Sequence, residues 1–474
     1  MTSNGKGTRF DPRLSAALLV AKVTAAGIRL AGRGGGTSAP GLVADRIDSG
    51  MLGKLTRRLP GGVIVVAGTN GKTTTSRMIA DLLEAAGMPA VHNRSGSNLV
   101  RGVVSAFAGQ ASITGAPGGA VGVIESDEAA LPQLLERVTP RVVLLNNLFR
   151  DQLDRYGELD AVARKWQPAL QALDRETTVV VNADDPMLVA LTADLRAEVV
   201  RFGMDDETHR LETLSHAADA ADCHVCGADL EYHSLYVSHL GDWYCPNCSN
   251  HRLDLDVIGR GVTLRGVESL DMHVTVDGEE VPIRVGVPGL YNAYNLIAAV
   301  AVGRAVGVEM PVITRSMGTF RSAFGRIERV VYRGRTLTLA LVKNPVGFNE
   351  VLRMLTAESG GLEVPTLIAI NDLYADGRDV SWLWDVDFEL LAPGGGPLGA
   401  TGVRGADMAN RLKYAGIPDE RITRFPDDLA AGLDGFVDTI PEGEVGYILP
   451  TYTAMLQVRK ILADRGAVET FWKQ

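Results

Sequence analysis

The sequence of 474 residues contains four cysteines, and all of them lie between Cys223 and Cys248. No thiol is therefore left elsewhere in the chain for a disulfide bond or for nucleophilic catalysis. The chain also lacks a run of about 20 apolar residues, the length that a membrane-spanning helix needs. The nearest candidate, Leu14–Leu30, is interrupted by Lys22 and Arg29. These absences predict a cytoplasmic protein without an integral membrane segment.

Basic residues are also fewer than acidic residues. The chain carries 47 Lys and Arg against 57 Asp and Glu, a formal net charge of −10. This balance argues against a general affinity for nucleic acids or anionic surfaces. Hydrophobic residues make up 46% and charged residues 22%, which is typical of a globular protein. A chain of this length predicts two or three domains.

The first part of the chain, residues 1–55, is predicted to be a short helical arm. Its apolar residues recur at a spacing that fits an amphipathic helix packed on the protein core. These residues are Leu14, Leu18, Leu19, Val23 and Ile28. A loop rich in Gly, Ser and Pro follows at Gly34–Gly41.

From Val63 onward, buried strands alternate with helices, which predicts an α/β fold with a parallel sheet covered on both faces. We place a central domain at 56–325. Within it, residues 205–252 break the alternation and are interpreted as an insertion. Apolar alternation at 255–287 predicts antiparallel strands. A second α/β unit of Rossmann-like type is expected at 326–474.

A glycine-rich loop between a buried strand and a helix is the strongest catalytic signal. It comprises Gly68, Thr69, Asn70, Gly71, Lys72, Thr73 and Thr74. Backbone N–H groups at such a loop and the dipole of the following helix bind phosphate. Lys72 would reach the β- and γ-phosphates, and Thr73 or Thr74 would hold Mg²⁺. The general P-loop pattern has a glycine where this chain has Val66, so the match is incomplete, and a helix-capping turn is the alternative.

Carboxylates follow the next predicted strands. Glu125, Asp127 and Glu128 come after one strand, and Asp151 and Asp154 come after another. Ligands bind outside the carboxyl ends of parallel strands, where a carboxylate can hold the metal that bridges nucleotide phosphates. Each residue alone could equally be a helix cap, but together they favour a nucleotide site.

Segments of the chain resemble the Mur ligases and folylpolyglutamate synthases, in the order that this family has them. The loop GTNGKTTT resembles the family's ATP loop, and the departure at Val66 is part of that pattern. Later segments resemble the family's metal-binding Glu, its N-x-D-D loop, its G-x-x-N-x-x-N helix start and its G-R-x-E segment. They contain Glu125, Asn182–Pro186, Gly289–Asn295 and Gly325–Glu328 respectively. One departure is Gln152, where the family usually has a histidine.

Within the Mur ligases, the chain is most similar to the MurT family, the synthetase subunits of lipid II isoglutaminyl synthase. The segments Lys343–Asn349 and Asn371–Trp382 resemble that family's K-N-P-x-G-x-N and A-D-G-R-D-x-S-W segments. Barely sixty residues precede the ATP loop, so the acceptor is not expected to be gripped through a UDP group.

The four cysteines form two C-x-x-C pairs, Cys223 with Cys226 and Cys245 with Cys248, separated by 18 residues. This spacing predicts a zinc ribbon. Four thiolates fill a tetrahedral Zn²⁺ site, so the metal would be structural. Alternative ligands are His224, His233 and His239, although surface or core positions are the simpler interpretation of these histidines.

A zinc ribbon can also bind nucleic acid, which is a rival hypothesis. Cys223–Cys248 contains no Lys or Arg, whereas a phosphate-binding module needs a basic surface. The alternative within the enzymes is another Mur-type amide ligase, similar to folylpolyglutamate synthase. The cysteine insertion and the A-D-G-R-D segment argue against it.

The resemblance implies an ATP- and Mg²⁺-dependent ligase that amidates the α-carboxyl of D-glutamate in the lipid II stem peptide, through an acyl phosphate. Lys72, Glu125 and Asp379 would be catalytic, and Thr73 with Glu125 would hold Mg²⁺. Asn292, Asn295 and Arg326 would help to bind the nucleotide. Because every cysteine is assigned to zinc, ammonia must come from a separate subunit, a GatD-like class I glutaminase in a heterodimer. The reaction is expected at the inner face of the cytoplasmic membrane.

Overall fold

The computed structural model describes residues 10–30, 38–93, 98–151, 159–321, 327–357 and 360–468. Gln152, Asp154, Gly325 and Arg326 lie outside these ranges, as do residues 34–37 of the glycine-rich loop and the predicted domain boundary at 325/326. Among the described residues, no helix combines the length and the apolar content that crossing a bilayer requires.

The first large sheet contains nine strands within the described residues. They are β1 Val63–Ala67, β2 Ala90–His92, β3 Val121–Glu125, β4 Val142–Leu145, β5 Thr178–Asn182, β6 Glu198–Met204, β9 Val257–Arg265, β10 Ser269–Val276 and β11 Glu279–Val285. Their order in the sheet is β11-β10-β9-β6-β5-β4-β1-β3-β2. Neighbours from β2 to β9 pair in parallel, and β10 pairs antiparallel with both β9 and β11. The predicted parallel sheet and the antiparallel strands after 255 are therefore confirmed.

Helices cover both faces of this sheet. The early ones are α1 Pro12–Leu30, α2 Ala39–Ile47, α3 Met51–Thr56, α4 Lys72–Ala85, α5 Val100–Gln110, α6 Leu131–Arg137, α7 Leu159–Gln171 and α8 Pro186–Thr192, and the later ones are α9 Leu290–Ala305 and α10 Met310–Thr319. Strand β1 is fully buried, and alternate side chains point to opposite faces. Ile64 and Val66 pack with α4 and α9, whereas Val63 and Val65 pack with α1, α3 and α5.

Helix α1 is not a free arm, because one of its faces belongs to the core. Leu14 and Leu18 are fully buried in the same cluster as Val63 and Val65. The amphipathic pattern predicted from the sequence is wrong for Leu19 and Val23, which are exposed. Helix α1 is thus apolar on its outer face as well as on its inner face.

The insertion between β6 and β9 carries an antiparallel hairpin, β7 Glu231–Val237 and β8 Leu240–Tyr244. Its Trp243 is fully buried and donates a hydrogen bond from Nε1 to Ala183 O at 3.1 Å. Arg252, just after the cysteines, forms an ion pair with buried Asp184 at 3.0 Å. These contacts fix the insertion to the loop after β5.

The second sheet has the order β12-β13-β17-β14-β15-β16 within the described residues, parallel except for β12 against β13. Its strands are β12 Ile327–Tyr332, β13 Arg335–Ala340, β14 Thr366–Ala369, β15 Leu398–Thr401, β16 Ile422–Arg424 and β17 Val445–Pro450. Its helices are α11 Pro345–Thr356, α12 Gly405–Tyr414, α13 Leu429–Thr439 and α14 Tyr452–Asp464, with 3₁₀ turns at Ser381–Asp385, Phe388–Leu391 and Asp419–Arg421. The carboxyl ends of β1, β3 and β4 lie opposite the residues that follow β13, and a cavity lies between them.

Candidate active site

The cavity between the two sheets has a volume of about 380 Å³. It is lined by the phosphate-loop residues Thr69–Thr73, by carboxylates from the loop after β3, and by Lys343 and Asn344 after β13. Nearly all of these residues follow the carboxyl end of a strand, the edge of an α/β sheet where ligands bind. The structure thus gathers the predicted loop and three of the predicted carboxylates, Glu125, Asp127 and Glu128, around one space, whereas Asp151 does not line it.

The conformation of the phosphate loop is fixed by hydrogen bonds with the residues after β4. Asn70 N donates to Asn147 Oδ1 at 2.8 Å, and Thr69 Oγ1 donates to Phe149 O at 3.0 Å. Gly71 has φ +82°, and a Cβ there would lie 2.0 Å from Asn295 Oδ1. Glycine is therefore required by both the backbone conformation and the packing at this position.

Lys72 and Glu128 form a buried ion pair at the cavity wall. Lys72 Nζ lies 3.0 Å from Glu128 Oε2 and also donates to Gly68 O and Thr69 O, at 2.5 and 3.0 Å. Burial raises the pKa of Glu128, but the cations Lys72 and Lys343 outweigh it, so this pKa lies below its ordinary value. The ammonium group is therefore paired with a carboxylate that stays ionised.

Thr73 and Glu125 form the pair that could hold a divalent cation. Thr73 Oγ1 donates to Glu125 Oε1 at 3.1 Å, and both residues line the cavity. The Glu125 backbone is fixed by two hydrogen bonds with the side chain of Asn93, each 2.9 Å long. Oxygen donors of this kind suit Mg²⁺. Thr74, the alternative ligand, is buried and does not line the cavity.

The two asparagines at the start of α9 differ in their surroundings. Asn295 lines the cavity, and its Oδ1 accepts hydrogen bonds from Thr75 Oγ1 and Asn146 Nδ2 at 3.0 and 3.1 Å. Asn292 donates to Pro288 O and accepts from Asn295 Nδ2. In this structure Asn295 positions the phosphate loop, and Asn292 orients Asn295.

Lys343 is the residue of this site that sequence reasoning did not assign. Its Nζ lies 2.5 Å from Asp151 Oδ2, so the pair joins the loop after β4 to the residue after β13. Burial raises the pKa of Asp151, and Lys343 opposes that rise. The K-N-P segment was visible in the sequence, but its spatial partner is 192 positions away.

Asp372, Asp376 and Asp379 follow β14, and the structure separates them. Asp372 pairs with Arg404 at 2.9 Å, and Asp376 accepts hydrogen bonds from Thr453 N and Oγ1. Asp379 is exposed and accepts a hydrogen bond from Ser381 N at 2.8 Å, which lowers the pKa of its carboxyl. Of the three, Asp379 has an ionised carboxylate open to an incoming group.

Asp379 lines a second cavity of about 320 Å³ beside the first. Lys343 and Asn344 line both cavities, and Arg150, Trp382 and Trp384 are among the other residues that line the second. The two cavities therefore adjoin at Lys343 and Asn344.

The four cysteine Sγ atoms lie within 4.8 Å of one another. Cys223 Sγ and Cys248 Sγ are 3.7 Å apart, and Cys226 Sγ and Cys245 Sγ are 3.4 Å apart. A tetrahedral site with Zn–S bonds near 2.3 Å places sulfurs about 3.8 Å apart. The donor set and its spacing therefore fit a zinc ion. His239, by contrast, is buried 3.6 Å from Asp185, and His233 stacks on Tyr244.

Comparisons with known proteins agree with this geometry. Residues 66–250 match the Mur ligase middle domain, and residues 341–455 match the MurT ligase C-terminal domain. The fold is similar to that of a pseudomurein peptide ligase type C from Methanothermus fervidus, with a TM-score of 0.66 and 17% identity over 85% of this chain and 78% of that one. Fold and site together define a ligase of the Mur type, a class that uses ATP.

Sequence similarity to known relatives shows which family of Mur-type ligases the chain belongs to. The MurT subunit of the glutamine-hydrolysing lipid II isoglutaminyl synthase of Streptococcus pneumoniae is 33% identical over 439 residues, 92% of this chain and 94% of that protein. The corresponding Staphylococcus aureus subunit is 31% identical over 84% of this chain and 87% of its own length. The chain belongs to the MurT family.

Proposed function

We propose that this chain is the synthetase subunit that amidates the α-carboxyl of D-glutamate in the lipid II stem peptide, giving D-isoglutamine. The observation that carries the proposal is the joint presence of the Lys72–Thr73–Glu125 site and of MurT-like sequence along nearly the whole chain. The MurT relatives are named as subunits of lipid II isoglutaminyl synthase.

The first half of the reaction transfers the γ-phosphoryl group of ATP to a carboxylate oxygen of the acceptor. The backbone of residues 68–73 and the start of α4 bind the phosphates, and Lys72 stabilises the group in transfer. Thr73 and Glu125 would hold Mg²⁺, and the charge of this ion would offset that of the phosphates. Asn295 keeps the loop in the required conformation.

In the second half, the lone pair of ammonia attacks the acyl carbon, inorganic phosphate leaves, and the nitrogen loses a proton. At neutral pH free ammonia is mostly ammonium, so it has to be generated nearby. Hydrolysis of glutamine to glutamate and ammonia typically uses a Cys–His pair, and every cysteine of this chain lies in the Cys223–Cys248 cluster. A GatD-like class I glutaminase subunit therefore supplies the ammonia, in a heterodimer.

We assign Asp379 to the interface with that glutaminase subunit. Its carboxylate is exposed and ionised, and the cavity beside it leads to Lys343 and the first cavity. It can orient a histidine of the partner or accept a hydrogen bond from incoming ammonium. The cysteine cluster binds one structural Zn²⁺. The reaction takes place at the inner face of the cytoplasmic membrane, where the lipid-linked acceptor is available.

The test is amidation of lipid II by the purified chain with ATP and Mg²⁺, read by mass spectrometry. The expected result is amidation with ammonium by the chain alone, and with glutamine after the glutaminase subunit is added. The Asp379→Asn variant should lose the glutamine-dependent reaction, whereas Asp372→Asn should retain it. If neither donor is used with the partner present and ATP bound, the chain is a Mur-type ATPase with another acceptor.

A further inference from the structure

The outer face of α1 is apolar along its whole length. Its residues recur every three or four positions and are all exposed: Pro12, Ala16, Leu19, Val23, Gly27 and Leu30. The exposed fraction is 48% for Leu19, 63% for Val23 and 90% for Leu30. Since residues three and four apart share one face of a helix, they form a continuous surface, which we call the outer strip.

The outer strip is not needed to hold α1 in the fold. The opposite face already buries Leu14, Ala17, Leu18 and Ala21 in the core of the first sheet. Burial of that face accounts for the position of the helix. Large apolar side chains in a row on a surface helix mark a binding surface rather than a packing requirement.

Three cations on α1 border the outer strip, whereas Asp11, just before the helix, is paired with Lys54 at 2.8 Å. No Asp or Glu occurs between Pro12 and Ala44, although the whole chain has a formal net charge of −10. Arg13, Lys22 and Arg29 flank the strip on α1. Lys22 Nζ is held against Gly109 O at 2.9 Å, and Arg13 Nε against Ile47 O at 2.6 Å. An apolar helix face bordered by Lys and Arg is the pattern of a helix that lies in a membrane surface.

Helix α5 connects the outer strip with the active site. The contact of Lys22 with Gly109 places α1 at the carboxyl end of α5. The amino end of α5 follows Asn98 and Leu99, which line the nucleotide cavity. An eleven-residue helix is about 16 Å long. Lys22 and the nucleotide cavity therefore lie at opposite ends of α5.

We propose that α1 docks the protein on an anionic lipid bilayer, with the outer strip among the acyl chains and Arg13, Lys22 and Arg29 at the headgroups. The flanking cations favour an anionic bilayer as the binding partner of the outer strip, since each Lys or Arg near an anionic surface contributes about 1 kcal/mol. The inference rests on the proposed function in one respect: a lipid-linked acceptor requires the enzyme to work at a membrane.

The test is co-sedimentation of the full chain, in complex with its glutaminase subunit, with vesicles that contain no lipid II. Vesicles of phosphatidylglycerol are compared with vesicles of phosphatidylcholine. The double variant Leu19→Glu/Val23→Glu should lower the partition coefficient on phosphatidylglycerol at least about tenfold, because two apolar contacts are replaced by two negative charges. Its matched control is Val331→Glu/Val445→Glu, which changes two exposed valines on the second sheet and should bind like the wild type.

Other occupants of the strip would give other results. Equal binding of the two double variants, or no preference for phosphatidylglycerol, overturns the proposal. A wild-type dimer that Leu19→Glu/Val23→Glu converts to a monomer, or loss of the glutaminase subunit from this variant, assigns the strip to a protein partner and overturns it too.

Activity separates this inference from the proposed function. With a lipid-free muropeptide as acceptor, Leu19→Glu/Val23→Glu should amidate at the wild-type rate, whereas with lipid II in vesicles its rate should fall about as much as its binding. If the variant kept the same fraction of the wild-type rate on both acceptors, docking through α1 would be contradicted. If the wild type amidates neither acceptor, the proposed function fails, and the vesicle-binding result still decides the role of α1.

Discussion

Replacing Gly71 by alanine tests the idea that Asn295 and the phosphate loop form one packed unit. Gly71 has φ +82°, and its new Cβ would lie 2.0 Å from Asn295 Oδ1. The left-handed conformation costs an L-residue roughly 1–2 kcal/mol. Asn295 must also move, so that the buried Thr75 hydroxyl loses its partner at a cost of roughly 1–3 kcal/mol.

Gly87→Ala is the matched control, because Gly87 lies at the other end of the same helix, α4. It has φ +76°, and a Cβ there would meet nothing within 4 Å. The control therefore carries the cost of the left-handed conformation without the clash. Gly71→Ala should be the less stable of the two by about 1–3 kcal/mol.

The assay combines hydrogen exchange of the α4 amides with calorimetric titration of ATP and Mg²⁺. We expect faster exchange in Gly71→Ala than in Gly87→Ala, and a loss of ATP affinity of at least about a hundredfold, since the loop amides no longer converge on the phosphates. Gly87→Ala should bind ATP like the wild type. If both variants bind ATP equally well and exchange at the same rate, the coupling of Asn295 to the loop is refuted.

Three further predictions concern charge and metal. Lys343→Met, which removes the partner of buried Asp151, should lower the free energy of unfolding by about 1–2 kcal/mol, and adding Asp151→Asn should restore part of it. Thermal denaturation of these two variants and of Asp151→Asn alone gives the coupling energy of the pair. Burial raises the pKa of Asp184 from 3.8 to about 6 despite its pairing with Arg252. The folded state therefore keeps this proton to higher pH than the unfolded chain does, and stability should fall as the pH rises from about 4 to about 6, by up to about 3 kcal/mol. The stability profile of Asp184→Asn against pH should lack this fall. Metal analysis should find one zinc ion per wild-type chain, which Cys226→Ser should lose and His224→Ala should retain.

The phosphate loop and the cysteine pairs could be identified from sequence because each signal is local. GTNGKTTT sits between a strand and a helix within about 25 residues, and the two C-x-x-C turns are joined by one hairpin. The α/β fold was predictable for the same reason, since buried strands appear as continuous apolar runs such as β1.

Features that depend on distant residues were not predictable. The pair of Lys343 with Asp151 joins positions 192 residues apart, and no periodicity encodes such a contact. The separation of Asp379 from Asp372 and Asp376 depends on Arg404 and Thr453, which come from other loops. The orientation of α1 was also hidden, because a helix that is apolar on two faces shows the same period on each.

Asn70 and Asn344 bond to each other through both of their amide groups, at 2.9 and 3.3 Å, and Asn344 also accepts a hydrogen bond from Gly347 N at the start of α11. A residue of the phosphate loop thus serves as a latch between the two sheets. Neutral hydrogen bonds contribute about 1 kcal/mol each, so these bonds add modestly to the ion pairs Lys343–Asp151 and Arg150–Asp385, which also join residues after β4 to the second half of the chain. A ligand that displaces Asn70 would thus act on the start of α11 through a single residue, Asn344.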